Sequence, residues 1–573
     1  MSRTATIRAA AACLLLTFAA LLARLAGVGA LLPHAPEEDA YIVRQAALLQ
    51  AGAEPEDVWD RTVWRKYPHL LAGLLALAPA DAPPLPPLTE ETLEAHLEAA
   101  SRPHRRGRTL VALISVLAIP LLWRVACRFT RPTVALWPTA LFAASLLPHY
   151  LSQQARPHGP VGTFTLACVL AALAWGERPR WSVALGAACA SGLALACLHN
   201  GLAGLVPLAV AWALAWPRTS TALRLGAVAA IATGIATALA AGYPFLRSAF
   251  GDAKALGDET TSGHAVALDG FNGGGFAVVG RAVWNNDPLL GGLACVGLVA
   301  GLVGWRAASS ERRRAALVCT GFCLPYLAAI GLYDRTFERF ALPLWPFLAL
   351  LAFHGARTLG RPLAPLRPGL QWAPIGLLLA FQLVCVARKA QLDRRPDTYE
   401  RAAQWIVREV APDDGRWVVV TRGFLPLPIR ERHTPQGDDA WGQLYRIPWR
   451  EHLLSTPPEA PAYGVELATG RADDDHRGFR RKDGRLSPAM LASVRARLSA
   501  TGARYAVTLR LAGLGGRSVF EQLMGGWATP LHTASPWGDD PDYAGAGYRD
   551  ENALRRLFAG ERFGPTVRLW ELP

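Results

Sequence analysis

The sequence predicts a polytopic α-helical membrane protein of about 11 spans, followed by a C-terminal extracytoplasmic α/β domain. Three observations predict it. The 573-residue chain is 51% hydrophobic, and its apolar residues gather in long runs before residue 389 and thin out after it. Arginines concentrate in alternate short loops between those runs. From Lys389 onward the pattern becomes short β-branched runs, Gly/Pro/Asp-rich loops and one amphipathic segment.

The first apolar run follows Arg3 and Arg8 and reaches about Leu32. It is longer than a signal-peptide core and fits a retained spanning helix. Further spans are predicted near 108–126, 132–150, 158–175, 181–198, 201–216, 222–246, 287–305, 314–332, 339–358 and 370–388. A cytoplasmic N-terminus places Arg124, Arg128 and Arg131, Arg178 and Arg180, Arg218 and Arg224, Arg306 and Arg312 to Arg314, and Arg357, Arg361 and Arg367 inside. The short outer loops carry fewer: Arg156 in one, Arg335 and Arg339 in another. An odd number of spans then puts the C-terminal domain outside the cytoplasm, on a protein of the inner (cytoplasmic) membrane.

Two large loops fall on that outer side, 33–107 and 247–287. The first contains APADAPPLPPL, which is too rich in proline for a membrane helix. It also contains YPHLLAGLLALA, too short to span and suited to lie along the membrane surface. The second is rich in Gly and polar residues and has the length of a mobile lid or a disordered segment. The domain division is therefore 1–388 and 389–573. Within the latter, 398–410 reads as a helix, and 417–421, 504–509 and 566–572 as strands.

The net charge of +14 raises nucleic acid as a partner. The arginines lie where they orient helices instead, so no nucleic-acid partner is expected. The nine cysteines all lie in or beside apolar runs without CxxC or Cys/His spacing. They read as small buried hydrophobes, with neither disulfide framework nor zinc site.

The chemistry-bearing residues sit at the outer surface. HAPEEDAYIVRQA (34–46) puts Glu37, Glu38 and Asp39 just beyond the first span. Acids there serve either as a solvated helix cap, favoured by the helix dipole, or as a general base. In the second reading Glu38 or Asp39 takes the proton of an attacking hydroxyl or amine. Adjacent helical positions face different ways, so one of the two points into a site. Three cationic groups lie on the same side: Arg61, Arg65 and Lys66; Arg156 and His158; and Arg335 and Arg339. Each arginine could snorkel to lipid headgroups, or the three groups could share one anionic ligand such as a lipid phosphate. His199 and Asn200 end a helix on that side, and Arg24 lies within the first span, facing the protein interior or snorkelling outward. No tight DxD cluster pairs with a second acidic motif, so no metal or other cofactor is expected.

The order of these motifs resembles the GT-C superfamily of integral-membrane glycosyltransferases, in the branch of bacterial protein O-mannosyltransferase-like and aminoarabinose transferase-like proteins. PEEDAYIVRQA resembles its acidic first-loop motif, an Asp-Asp or Asp-Glu pair followed by a tyrosine, here Tyr41. WRKYPHLLAGLLALA, GRTLVALISVLAIPLLWRVACRF, ARPHGPVGTFTLA, FERFALPLWPFLALLA and RRPDTYERAAQWIVREVAPDDGRWVVV resemble later elements in order. The resemblance implies a polyprenyl-phosphate sugar donor and inverting transfer to a glycan, lipid or protein acceptor. It implies Glu38 or Asp39 as the catalytic acid position and Arg339 as a phosphate contact, with Arg156, His158, Lys66, Arg65 and Tyr41 around the donor. His158 stands where many members have Asp, and His199–Asn200 where many have Lys. A transporter or lipid flippase is the alternative from another class, and a non-catalytic membrane scaffold a further one. The polar candidates at one surface favour chemistry over alternating access.

Overall fold

The structure is a computed structural model that describes residues 3–33, 39–52, 68–78, 86, 90–242, 270–334, 336–410, 416–419, 430–431, 464–467, 488–500, 502, 504–510, 523–536 and 553–573. The chain folds as two compact units. The first comprises Met1–Val28, Tyr41–Ala80 and Gly107–Ala387, and the second Gly29–Ala40, Asp81–Arg106 and Arg388–Pro573. The boundary near residue 388 lies where the apolar runs end. Two stretches of the first outer loop fold with the C-terminal unit, a long-range pairing that no local pattern announces.

The first unit is helical. Its elements are α1 (Arg3–Leu25), α2 (Asp39–Gln50), α3 (Leu70–Ala76), α4 (Leu93–Val116, beginning in the second unit), α5 (Ala118–Ala126), α6 (Leu136–Ala144), α7 (Leu146–Leu151), α8 (His158–Glu177), α9 (Trp181–Cys197), α10 (Leu205–Ala215), α11 (Thr221–Gly242), α12 (Gly274–Asn286), α13 (Pro288–Val303), α14 (Ser310–Leu332), α15 (Trp345–Gly360) and α16 (Ala373–Asp393). Short 3₁₀ segments, His199–Gly204 and Glu338–Leu344, precede α10 and α15. Among the described residues, eight helices are long and apolar enough to cross a membrane, or nine if the bent pair α12–α13 forms one span. Large apolar side chains lie exposed on the outer faces of several helices, among them Leu14, Leu15, Leu302, Val303 and Leu377. Such faces suit lipid as solvent, and the chain is a multi-pass membrane protein.

The difference from the expected eleven has local causes. The run 132–150 is split at Ser145, whose extended backbone (φ −64°, ψ 136°) ends α6 and starts α7. The run 181–198 gives the 17-residue α9. The expected loop 247–287 contains a helix, α12, set at 118° to α13. The 33–107 loop likewise ends early, because α4 begins at Leu93. The short apolar segment in that loop is helical, as α3.

Helices here meet through small residues, which is how helices approach closely when lipid supplies no hydrophobic drive between them. A Cβ on Gly297 of α13 would meet the Leu351 carbonyl oxygen of α15 at 1.9 Å, and one on Gly355 would meet that of Leu293 at 2.0 Å. Gly192 of α9 and Gly234 of α11 make a similar contact. Between these seams lies a core that includes Ile119, Leu122, Leu141, Phe322 and Trp345.

The second unit is α/β. Its strands are β1 (Arg416–Val419), β2 (Arg430–Glu431), β3 (Gly464–Leu467), β4 (Tyr505–Arg510), β5 (Thr529–Ala534) and β6 (Thr566–Glu571), ordered β2-β3-β1-β4-β6-β5. The pairs among β1 to β4 are parallel, and β6 is antiparallel to both β4 and β5. Helix α17 (Thr398–Glu409) is capped by Asp397, whose side chain accepts from the Glu400 N–H at 2.8 Å. Alternation along β4 and β6 builds two cores. Tyr505, Val507, Val567 and Leu569 pack with Tyr399, Ala402 and Ile406 of α17 and with Leu93. Ala506 and Trp570 pack with Leu498 of α18 (Pro488–Ala500), Leu523 and Met524. The three strands and one helix expected from sequence are present, joined by β2, β3, β5, α18 and α19 (Ala553–Ala559).

Candidate active site

The predicted acids fall at the start of α2. Asp39 is its first residue and Tyr41 lies in its first turn. Glu38 lies outside the described residues, as do Arg61, Arg65, Lys66 and Arg335. Three residues past Asp39, Ile42 is buried with Leu71 and Ala72 of α3, Val161 of α8, and Cys197 and Leu198 ahead of His199. The body of α2 thus packs against the ends of helices that carry predicted site residues. Burial pushes the imidazole of His69, just before α3, down to about 4, so it is neutral.

The cations of the next outer loop are placed by α7 and α8. Ser152 to Arg156 are all buried, Arg156 itself being 7% exposed. That burial rules against headgroup snorkelling for Arg156. His158 opens α8 and is buried, 2% exposed. Its neighbour Gly159 leaves room for α4: a Cβ there would meet Ser115 Oγ at 2.2 Å.

The third group meets the second at Phe340. The His158 ring lies 5.4 Å from that of Phe340. The Arg339 guanidinium stacks over Phe337 at 4.2 Å and lies 5.6 Å from the Phe340 ring centre. A ring face orients a guanidinium without cancelling its charge. Tyr326 of α14 donates its hydroxyl to the Phe340 carbonyl at 2.9 Å, and the Asn200 amide donates to that hydroxyl at 3.0 Å. His158, Arg339 and Asn200, far apart in sequence, therefore share one end of the helical bundle. Tyr326, Phe337 and Phe340 were missed from sequence because their role is to join segments, and apolar periodicity gives no sign of that.

The start of α12 is tied to the same end. Asn272 donates to Asp334 at 3.0 Å, and the Gly273 N–H to the Leu332 carbonyl at 2.8 Å. Gly273 takes φ +88°, a conformation that favours glycine. The Asn285 amide reaches Glu338 at 3.4 Å, beside Arg339.

Deeper in the unit is a polar centre that sequence reasoning also missed. Asp287, at the bend between α12 and α13, is 2% exposed. It accepts from Gln382 Nε2 at 3.0 Å, from Trp345 Nε1 at 3.3 Å and from the Leu146 N–H at 3.3 Å. Arg24 faces the protein interior, donating to the carbonyls of Ala20 at 3.0 Å and Ala143 at 3.4 Å. Among the described residues no group of three His, Cys, Asp or Glu side chains is arranged to hold a metal ion.

No known family profile matches the sequence, and no curated protein matches it. Solved structures do. The chain is similar to ArnT from Cupriavidus metallidurans bound to undecaprenyl phosphate, at 14% identity and a TM-score of 0.49, over 91% of this chain and 97% of that one. It is also similar to the archaeal oligosaccharyltransferase AglB from Archaeoglobus fulgidus in complex with an inhibitory peptide and a dolichol-phosphate. There the identity is 11% and the TM-score 0.45, over 86% of this chain and 69% of that one. Both are GT-C-superfamily membrane glycosyltransferases, the class that the sequence motifs resemble.

Proposed function

We propose that this protein is an inverting glycosyltransferase that moves a sugar from a polyprenyl-phosphate donor to an acceptor at the outer face of the membrane. The observation that carries the reading is the meeting of His158, Arg339 and Asn200 around Phe340, with buried Arg156 two residues from His158. A ring-backed guanidinium at one end of a bundle, with a buried arginine on the segment that meets it, suits a phosphate whose lipid tail lies between helices. In this reading Arg339 and Arg156, with Lys66 or Arg65, hold the phosphate, while His158 and Tyr41 flank the donor.

The reaction follows from those roles. An acceptor oxygen or nitrogen attacks the anomeric carbon from the face opposite the phosphate. The bond from that carbon to the phosphate oxygen breaks, and polyprenyl phosphate leaves with the electron pair. Glu38 or Asp39 takes the acceptor proton. The cations stabilise the charge that grows on the leaving phosphate. A glycan, a lipid or a protein serves as acceptor, and the C-terminal unit lies outside the cytoplasm to meet it.

One observation favours the transporter or flippase alternative: helices broken at Ser145 and Asp287 with charged groups between them. The two readings separate in one assay. Membranes holding wild type, Glu38→Gln or Asp39→Asn are offered radiolabelled polyprenyl-phosphate sugars. Label in a new product, lost in one variant at equal protein level, supports transfer and names the base. Donor that changes leaflet without changing chemically supports translocation. Transfer that survives both substitutions removes the acids from the mechanism.

A further inference from the structure

The break at Ser145 leaves backbone groups that lipid cannot satisfy. At the end of α6 the last carbonyls have lost their next helical partners, and at the start of α7 the first N–H groups have none. Two of them are met locally by Ser145 and two from distant parts of the chain. The Leu141 carbonyl accepts from Ser145 Oγ at 2.9 Å, and that of Phe142 from the Ser145 N–H at 3.2 Å. The Ala143 carbonyl takes Arg24. The Leu146 N–H goes to Asp287, and Pro148 has no N–H to satisfy. A cation thus stands at the negative end of one half-helix and a carboxylate at the positive end of the next, the arrangement a helix dipole favours.

The same two residues reach the cationic segments. The Arg24 carbonyl accepts from Gln153 Nε2 at 3.0 Å, three residues before Arg156. Two residues before Asp287, Asn285 holds Glu338, the neighbour of Arg339. Gln382 Nε2 bridges Asp287 and Ser145 Oγ, at 3.0 Å to each, so the bend and the break cannot move apart independently.

We infer that Asp287 and Arg24 are positioning residues: they lock the α6–α7 break and thereby fix the Arg156–His158 segment against the Arg339 segment. Their link to ligand affinity rests on the phosphate-binding reading above. The locking itself does not.

The test uses the full chain carrying Gln154→Cys, so that a thiol beside Arg156 reports on the segment. Its labelling by a membrane-impermeant maleimide is measured above the background of the parent chain, in Asp287→Asn and in Leu146→Pro. The second variant deletes the N–H that Asp287 accepts and exchanges the buried Leu146 side chain for a proline ring. Proline suits the first position of a helix, and Ser145 already has the extended backbone a preceding residue needs. Both variants are expected to raise the labelling rate about fivefold or more, and the double variant by less than the product of the two, because both changes act on the contacts of Asp287. Unchanged labelling in a folded variant overturns the proposal, and Leu146→Pro decides if Asp287→Asn fails to fold. Binding of undecaprenyl phosphate is measured in parallel. Misplaced cations weaken it by about tenfold to a hundredfold. Wild type that does not bind this lipid defeats the phosphate reading and leaves the labelling result to judge the lock.

Discussion

Two places in the membrane unit use charge differently. At the α6–α7 break, Asp287 and Arg24 are directed at backbone: one accepts an N–H at a helix start, the other donates to a carbonyl at a helix end. At the bundle end that holds Phe340, Arg339 lies on aromatic rings and His158 beside one of them. The first arrangement fulfils an internal requirement, since a broken helix in lipid must have its polar groups met. The second sets a guanidinium against ring faces, which orient it. A charge that completes a helix end serves the fold; in the proposed function the ring-backed one meets the phosphate.

Substitutions can break this comparison. The largest effect is expected at the acids. Glu38→Gln or Asp39→Asn in the base position lowers sugar transfer by about 10²- to 10⁴-fold, the usual worth of a general base, with binding of undecaprenyl phosphate unchanged. Loss of binding with retained turnover would move that residue out of the base role. Next comes the ring-backed cation. Arg339→Ala weakens undecaprenyl phosphate binding by about tenfold to a hundredfold, since a hydrogen bond to a charged group contributes roughly 1.5–3 kcal/mol. Arg339→Lys recovers only part of it, because a point charge replaces a planar fork. Equal binding in wild type and Arg339→Ala would make the outer end as structural as the break.

Two smaller changes lie away from both places. Gly297→Val forces α13 from α15, where even a Cβ meets the Leu351 carbonyl oxygen at 1.9 Å, and destabilises the chain by about 1–3 kcal/mol in thermal unfolding. The smallest effect concerns His532 of β5, whose ring stacks on Trp405 at 5.3 Å. Burial, and then Arg401 and Arg408, hold its pKa below the ordinary 6.5. A histidine depressed in the folded state contributes stability that is present above its unfolded pKa and lost as pH falls through the folded one. Melting temperature should therefore decline on acidification below about pH 6.5, and His532→Gln should flatten that decline. A variant with the wild-type slope would assign the decline to other groups.

Much of the fold was legible from short-range pattern. Apolar run length located the helices, since about 20 residues are needed to cross a hydrocarbon core whatever the neighbours do. Short β-branched and aromatic runs marked β4 and β6, and they stay largely apolar because both faces of that sheet are covered. Hydropathy could not see the split at Ser145. LFAASLLPHY is almost wholly apolar, and partners for the backbone groups at the break come from Arg24 and Asp287, 121 residues before and 142 after Ser145. Strands β2 and β3 are short and follow no clear alternation, so only parallel pairing defines them, β3 with β1 and β2 with β3.

The site divides along the same line. Sequence by itself determined the residue types at the outer ends of the helices, including Arg156, His158 and Arg339, because loop position and charge are local properties. Tertiary structure alone decided which of them meet. Phe340 gathers His158 and Arg339, and Tyr326 links Asn200 to the Phe340 carbonyl; the His158–Phe340 and Asn200–Tyr326 contacts join segments more than a hundred residues apart. Such contacts depend on how helices pack, and packing depends on small residues such as Gly297 and Gly355, whose spacing only the folded chain brings together.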